Sequence, residues 1–177
     1  TPALSFPVSL DEAKQHCRID HSDDDAILTG YVSAAVGLVG ELSGRVMAPE
    51  TWTASYDMLS GDLLLPKSPV IDVTEIAYFD IQDAAQTADL ADFSVILDQD
   101  RTILRPKNGK AWPITSKRPD AISVSFEVGY DTLPDELRSA VLLIIGHLYE
   151  NRGDTVQGFP PAVEALVSAH RIGWITA

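Results

Sequence analysis

The stretch LPDELRSAVLLIIGHLYENR, Leu133 to Arg152, constrains the fold more than any other part of this chain. Pro134 suits the first turn of a helix, where its missing N–H costs nothing. Asp135 and Glu136 follow, where the helix dipole favours negative charge. Leu137, Val141, Ile144 and Leu148 recur at helical spacing, and Ala140, Leu143 and Ile145 fill most of the remaining circumference. A helix apolar on nearly every side has to be covered on several sides. Arg138, Ser139 and His147 interrupt it, and a membrane span takes roughly 20 apolar residues, so the cover is expected to be protein. Arg152 and Gly153 supply a stop. The expectation is the central helix of a small bundle.

The flanking sequence supplies partners for it. Ser9-Leu-Asp-Glu12 is a capping box opening a short helix with Leu10, Ala13 and Cys17 on one face, ending near Ile19. Asp20 to Asp25, DHSDDD, reads as a turn and an N-cap. A calcium loop fails on detail, because the turn Gly is missing and Tyr31 stands where the bidentate Glu belongs. Ile27 to Arg45 is the second long helix, with Ile27, Tyr31, Ala35, Leu38 and Leu42 as its stripe and Gly44 as its stop. Pro160-Pro161 starts a last helix, with Val163, Leu166 and Val167 apolar, ending near Arg171 to Gly173.

Between Thr51 and Tyr130 the apolar period changes to two. Strands are expected at Thr51 to Tyr56, Leu63 to Leu65, Val73 to Phe79, Phe93 to Leu97, Arg101 to Leu104 and Ala121 to Val128. The last alternates most cleanly, with Ile122, Val124, Phe126 and Val128 on one face. Phe93 to Leu97 and Arg101 to Leu104 pair across Asp98 to Asp100. The fold class is therefore α+β: a bundle of about four helices, with a small antiparallel β barrel or sandwich inserted between helices two and three. The expected division is one domain over 1–177, with helices in 9–46 and 132–171, the β insertion at 50–130 and a tail at 172–177.

Chemistry is sparse. No nucleophile elbow or phosphate loop occurs. Cys17 and His21 have a metal-like gap but no second pair to complete four ligands. His147 and Glu150 read as a helix-end pair near Arg152. The lone cysteine excludes an internal disulfide, and Thr1 to Pro7 lacks the basic start and apolar run of a signal peptide. The net charge of −13 argues against non-specific nucleic-acid binding, which runs on cations neutralising phosphates. That charge is unevenly spread: Asp72 to Asp100 holds eight acids and no base, while Arg101 to Arg118 holds six bases and no acid. Two readings stand. The blocks are an ordinary solvated surface, or they form a heterologous, head-to-tail interface in which Arg101, Arg105, Lys107 and Lys110 face the acidic segment of a neighbour. The terminal Trp174 and Ile175 either fold back onto their own core or anchor another chain.

Taken in order, several segments form a pattern. SLDEAKQHCRIDHSDDD precedes an Ala-rich helix ending ELSGR and then TW. LLLPKSPVIDVTEIAYFD carries Leu-Pro, Pro-Val and Tyr-x-Asp. Trp112-Pro113 comes before the last strand, and VSFEVGYDTLPDELRSAVLLIIGHLYENRG closes the set. From about Ser9 to Arg171 the chain resembles the head–tail connector, or head-completion, proteins of tailed phages and phage-like gene transfer particles. The resemblance implies a helical bundle with a β insertion and a structural adaptor, not an enzyme, with no cofactor or metal. It implies a ring, usually of twelve subunits, beneath the portal protein, which extends the DNA channel and presents a surface to a stopper or tail protein. DNA would pass through the lumen without specific binding, and no membrane is involved. Its place would be the head–tail junction of a virion or virion-like particle assembled in the host cytoplasm. The family's C-terminal segment tends to reach the portal, favouring the anchor reading of Trp174 and Ile175. Left open are a monomeric state when free, a basic block that lines the channel instead of an interface, and a non-viral oligomeric binding module of a phage-derived machine.

Overall fold

The computed structural model describes residues 7–98, 101–152 and 160–173. In chain order these form α1 (Leu10–Cys17), α2 (Asp25–Ser43), β1 (Glu50–Tyr56), β2 (Leu63–Leu64), β3 (Val70–Phe79), β4 (Ala85–Thr87), a 3-10 turn (Leu90–Asp92), β5 (Phe93–Asp98), β6 (Arg101–Pro106), β7 (Ile122–Val128), α3 (Asp135–Glu150) and α4 (Pro161–Ser168). The chain divides into a helical unit, Thr1–Ala48 with Asp131–Ala177, and a β unit, Pro49–Tyr130.

In the helical unit α3 packs against α1, α2 and α4. Its Leu137, Ala140, Val141, Ile144 and Ile145 are fully buried, as a helix without a polar face requires. Pro134 stands at the N-cap position, one residue earlier than expected. α1 opens on the capping box: Ser9 Oγ accepts from the Glu12 N–H, and the Glu12 carboxylate accepts from the Ser9 N–H at 3.0 Å. The same Glu12 accepts from Arg138 of α3 at 2.9 Å, so the cap also fastens α1 to the central helix. α2 is long and apolar enough to cross a membrane by length and composition alone. Its Leu28, Val32, Ala35 and Val39 are buried in the helical unit, as in a core helix.

The buried face of α2 corrects the sequence reading. Leu28, Val32, Ala35, Val39 and Ser43 point inward, while the expected Ile27 is 43% exposed. α2 carries no charge from Ala26 to Gly40, so its own periodicity is weak and its neighbours choose the buried face. Gly44 ends α2 with φ 73, the left-handed geometry of a helix stop. The ELSGR motif then acquires a use. The Arg45 guanidinium donates to the His170 carbonyl, the Ile172 N–H donates to Ser43 O, and Arg171 Nε donates to Leu42 O. The residues after α4 thus satisfy carbonyls at the end of α2.

DHSDDD behaves differently from the expected N-cap. Asp24 occupies the cap position but makes no capping bond. Its carboxylate accepts instead from Tyr149 Oη and from Arg152, both at 2.7 Å, and the Arg152 guanidinium lies 4.2 Å above the Tyr149 ring. The acidic turn and the Tyr-Glu-Asn-Arg end of α3 are two halves of one contact. His147 does not pair with Glu150 among the described contacts; its carbonyl accepts from Asn151.

The β unit is not a closed barrel. Its strands form a four-stranded sheet, order β1-β7-β3-β4, and a three-stranded sheet, order β2-β6-β5, with every pairing antiparallel. Ile122, Val124, Phe126 and Val128 of β7 are buried with Val73 and Ile76 of β3. Leu63, Leu104 and Phe93 are buried in the smaller sheet. β4 was not expected from the sequence, because Ala-Gln-Thr is short, polar and exposed. Asp80 makes the tight connection between β3 and β4 by accepting from the N–H groups of Gln82 and Ala84.

The Arg152 and Tyr149 hydrogen bonds hold the Asp24 carboxyl below the usual carboxylate range. A depressed folded-state pKa adds stability that is complete above the ordinary pKa and is lost as pH falls through the lowered one. Asp24→Asn should therefore lower the melting temperature at pH 7. The gap from wild type should narrow as melting scans are taken step by step below pH 4.

Candidate partner-binding cleft

The β unit carries a cleft of about 620 Å³ where the Leu59–Asp62 loop meets the end of β6 and the loop after it. Trp112 forms its apolar wall. The indole Nε1–H donates to the Gly61 carbonyl at 2.7 Å, and the ring lies 4.8 Å from that of Phe93 at a 38° tilt. Gly61 adopts φ 71, which a side chain would strain, so the turn that brings its carbonyl to Trp112 suits glycine. Pro106 and Ala111 complete the apolar lining, and Asp62, Arg105 and Lys110 supply charge.

One of the two sequence readings turns Arg101, Arg105, Lys107 and Lys110 toward the acidic segment of a neighbour. Arg105 and Lys110 do line this one cleft. Lys107 lies just past β6 and donates through Nζ to the Ala91 carbonyl at 2.7 Å. Arg101 starts β6 opposite Asp98 and is not part of the cleft lining. Trp174 and Ile175 lie outside the described residues. Sequence reasoning missed Asp62, and read Trp112 only as part of Trp-Pro. The available signal was the Gly61-Asp62 turn ahead of an apolar run, with an isolated Trp among loop residues.

The charges in and around the cleft are already matched within the chain. Arg105 pairs with Asp62 and Lys110 with Asp92 at 2.7 Å; away from the cleft lining, Arg118 pairs with Asp83 at 3.4 Å. The hydrogen bond that Lys110 donates to Asp92 raises the lysine pKa above its ordinary value. The acidic and basic blocks therefore meet by folding back on each other, and the cleft is a mixed apolar and zwitterionic surface. Such a surface suits a protein segment better than a phosphate chain.

A second cleft, about 470 Å³, lies in the helical unit between His16, Cys17, Arg18, Gly146, Tyr149 and Glu150. Burial, with Glu150 adding to it, pushes the Cys17 thiol above its ordinary pKa, so it stays protonated at neutral pH. Among the described residues no cluster of three or more His, Cys, Asp or Glu side chains could hold a metal ion.

Residues 7–88 match the family described as phage gp6-like head-tail connector protein. The resemblance to head–tail connectors holds. The match takes in α1, α2 and β1 to β4. The Gly-Tyr and Leu-Tyr-Glu-Asn-Arg parts of the sequence pattern lie beyond it. Among solved structures, the fold is shared with a chain in the neck of an empty gene transfer agent particle computed with C6 symmetry. That likeness has a TM-score of 0.78 and 20% identity over 100% of this chain and 96% of that one. A chain in the virion of the native gene transfer agent particle gives the same values. A chain in the native neck computed with C12 symmetry gives a TM-score of 0.73 at 21% identity, over 99% of this chain and 94% of that one. No curated protein matches. At these identities the solved structures speak for the fold, and that fold extends over the whole chain.

The cleft depends on its indole. Trp112→Ala should destabilise the β unit by roughly 2 kcal/mol, through the lost ring contact and the lost indole hydrogen bond to the Gly61 carbonyl. Trp112→Phe should recover part of that, as read from denaturant midpoints.

Proposed function

We propose that this chain is a structural head–tail adaptor. It forms a ring under the portal of a phage or phage-like particle, extends the DNA channel, and links the head to stopper or tail proteins. The observation that carries this reading is the connector-family match from α1 to β4, set within a fold shared with neck chains over 94–96% of their length. The family and the structural neighbours are virion components, and the reading gives this chain no catalytic step. The raised Cys17 pKa is in keeping with that. The helical unit and the β unit work as one connector piece, in a ring whose number follows the twelvefold neck.

The electrostatics suit a conduit. On the outer face of the four-stranded sheet, Asp72 lies directly opposite Glu127, with Glu75 nearby on β3. Like charges in cross-strand positions cost stability. Together with a net charge of −13, they make a surface that repels phosphate and lets DNA slide past without gripping it. Trp174 and Ile175 serve in this reading as the anchor toward the portal, and Arg101, Arg105, Lys107 and Lys110 face a neighbouring copy.

Reconstitution tests the function. Purified chain mixed with DNA-filled heads that carry a portal but lack a connector should add a ring of density beneath the portal, seen by electron microscopy, and restore tail attachment. Heads that never gain such density would overturn the reading. The basic block has its own test. Arg101→Glu with Lys107→Glu should weaken ring formation about tenfold at low salt, with the difference fading near 0.5 M salt. Unchanged assembly would remove these residues from the interface.

A further inference from the structure

Each sheet of the β unit has one protected edge and one open edge. In the four-stranded sheet the protected edge is β3 with β4. β4 covers only the last residues of β3, and the remainder of β3 shifts register against β7 at two places, Val70/Asp72 and Val73/Glu75. Short edge strands and bulges are the usual means of blocking further pairing. In the three-stranded sheet the protected edge is β2, two residues long and followed by Pro66.

The opposite edges lack these devices. β1 pairs with β7 through seven consecutive residues, and β5 pairs with β6 through six, both without a register shift. Neither strand contains Lys, Arg or Pro, and Glu50 and Asp98 are their only charges, each at a strand end. Among the described residues the far side of β1 makes no backbone hydrogen bond. The core is also only partly covered at both edges, where Ala54 and Tyr56 are half-buried and Lys67 Nζ lies 4.3 Å from the Trp52 ring. Trp52, Ala54 and Tyr56 lie opposite Phe126, Val124 and Ile122. Those three β7 residues are buried, yet Trp52 is 38% exposed. Val95 of β5 lies opposite the buried Leu104 and is itself 46% exposed.

We propose that these two edges are the seam between copies: β1 of one copy pairs with β5 of the next. The occupant is a second copy because one chain carries two open edges of matched length on different sheets. Joining unlike edges gives a heterologous contact that propagates around a ring, whereas β1 against β1 would stop at a dimer. Main-chain hydrogen bonds supply the pairing. Val95 comes to lie against Trp52, Ala54 and Tyr56, closing the apolar face that both edges leave open. This seam rests on the ring reading above and adds to it the strands that join.

Site-directed crosslinking of the full-length chain in assembled rings tests it. The background is Cys17→Ser, and the rings are formed on portal-bearing heads. A variant with both Ala54→Cys and Val95→Cys, treated with a short thiol crosslinker, should give a ladder of covalent multimers. Ala54→Cys alone and Val95→Cys alone should give none. Amide exchange supplies a measurement on the unmutated chain: residues 50–56 and 93–98 should slow about tenfold between free chain and assembled ring. Dimers from Ala54→Cys alone would overturn the seam in favour of β1 pairing with itself. Rings that form with no crosslinks and with unchanged exchange at both strands would overturn the seam and leave the ring reading standing. Edges protected only after a stopper or tail protein is added would assign them to that partner instead. If no ring forms at all, the adaptor reading falls, and the seam falls with it.

Discussion

The helical unit depends on covering α3. A helix that turns apolar residues in nearly every direction is stable in water only when wrapped. Fully burying Leu137, Val141, Ile144 and Ile145 contributes roughly 1.5–3 kcal/mol each, an upper range set by an extended reference chain. The polar ties around α3 are of another kind. Glu12 to Arg138, Asp24 to Tyr149 and Arg152, and His170 to Glu136 all touch its ends or its margins. Partly exposed pairs of this sort add little stability but hold each neighbouring helix at one height along α3. Apolar burial decides that a bundle forms, and the ties decide its register.

That division of labour explains what was legible in the sequence. Helix existence, the capping box at Ser9 and Glu12, the stop at Gly44 and the buried face of β7 follow from local chemistry, and all could be read directly. The buried face of α2 could not. Its sequence offers an apolar residue to almost any direction, and only α1, α3 and α4 select Leu28, Val32 and Val39 over Ile27, Tyr31 and Leu38. The role of Asp24 was hidden for a similar reason. Capping is a local option for any Asp before a helix, but Tyr149 and Arg152 compete for the same carboxylate from 125 and 128 residues away.

The candidate cleft shows the limit for charge. Opposite blocks at 72–100 and 101–118 are obvious in sequence, and each invites a partner outside the chain. Folding brings Asp83 to Arg118 and Asp92 to Lys110, so part of that attraction is used internally. Charges neutralised in pairs give way to the surface between them, here the Trp112 wall. Closing the strands into a barrel was likewise not decidable from alternation, which reports the two faces of a strand and says nothing of its edges. Edges are where this β unit differs most from a closed one.

Open edges are a hazard to a free protein, because any exposed strand can pair with them. This chain opposes the hazard with its net charge. At −13 per copy, like copies repel over distances near the Debye length of about 8 Å at physiological salt. Edge pairing acts only at hydrogen-bonding range. Where copies are dilute, the long-range repulsion works against edge pairing. In the ring proposed above, copies gathered side by side by a portal would make each contact effectively intramolecular, and a short-range gain repeated at every seam would overcome a repulsion that salt screens. A piece that assembles in this proposed way would stay apart until a template collects it. In that proposed ring, the net acidity of the chain and the strands left unpaired at the sheet edges are two terms of one balance.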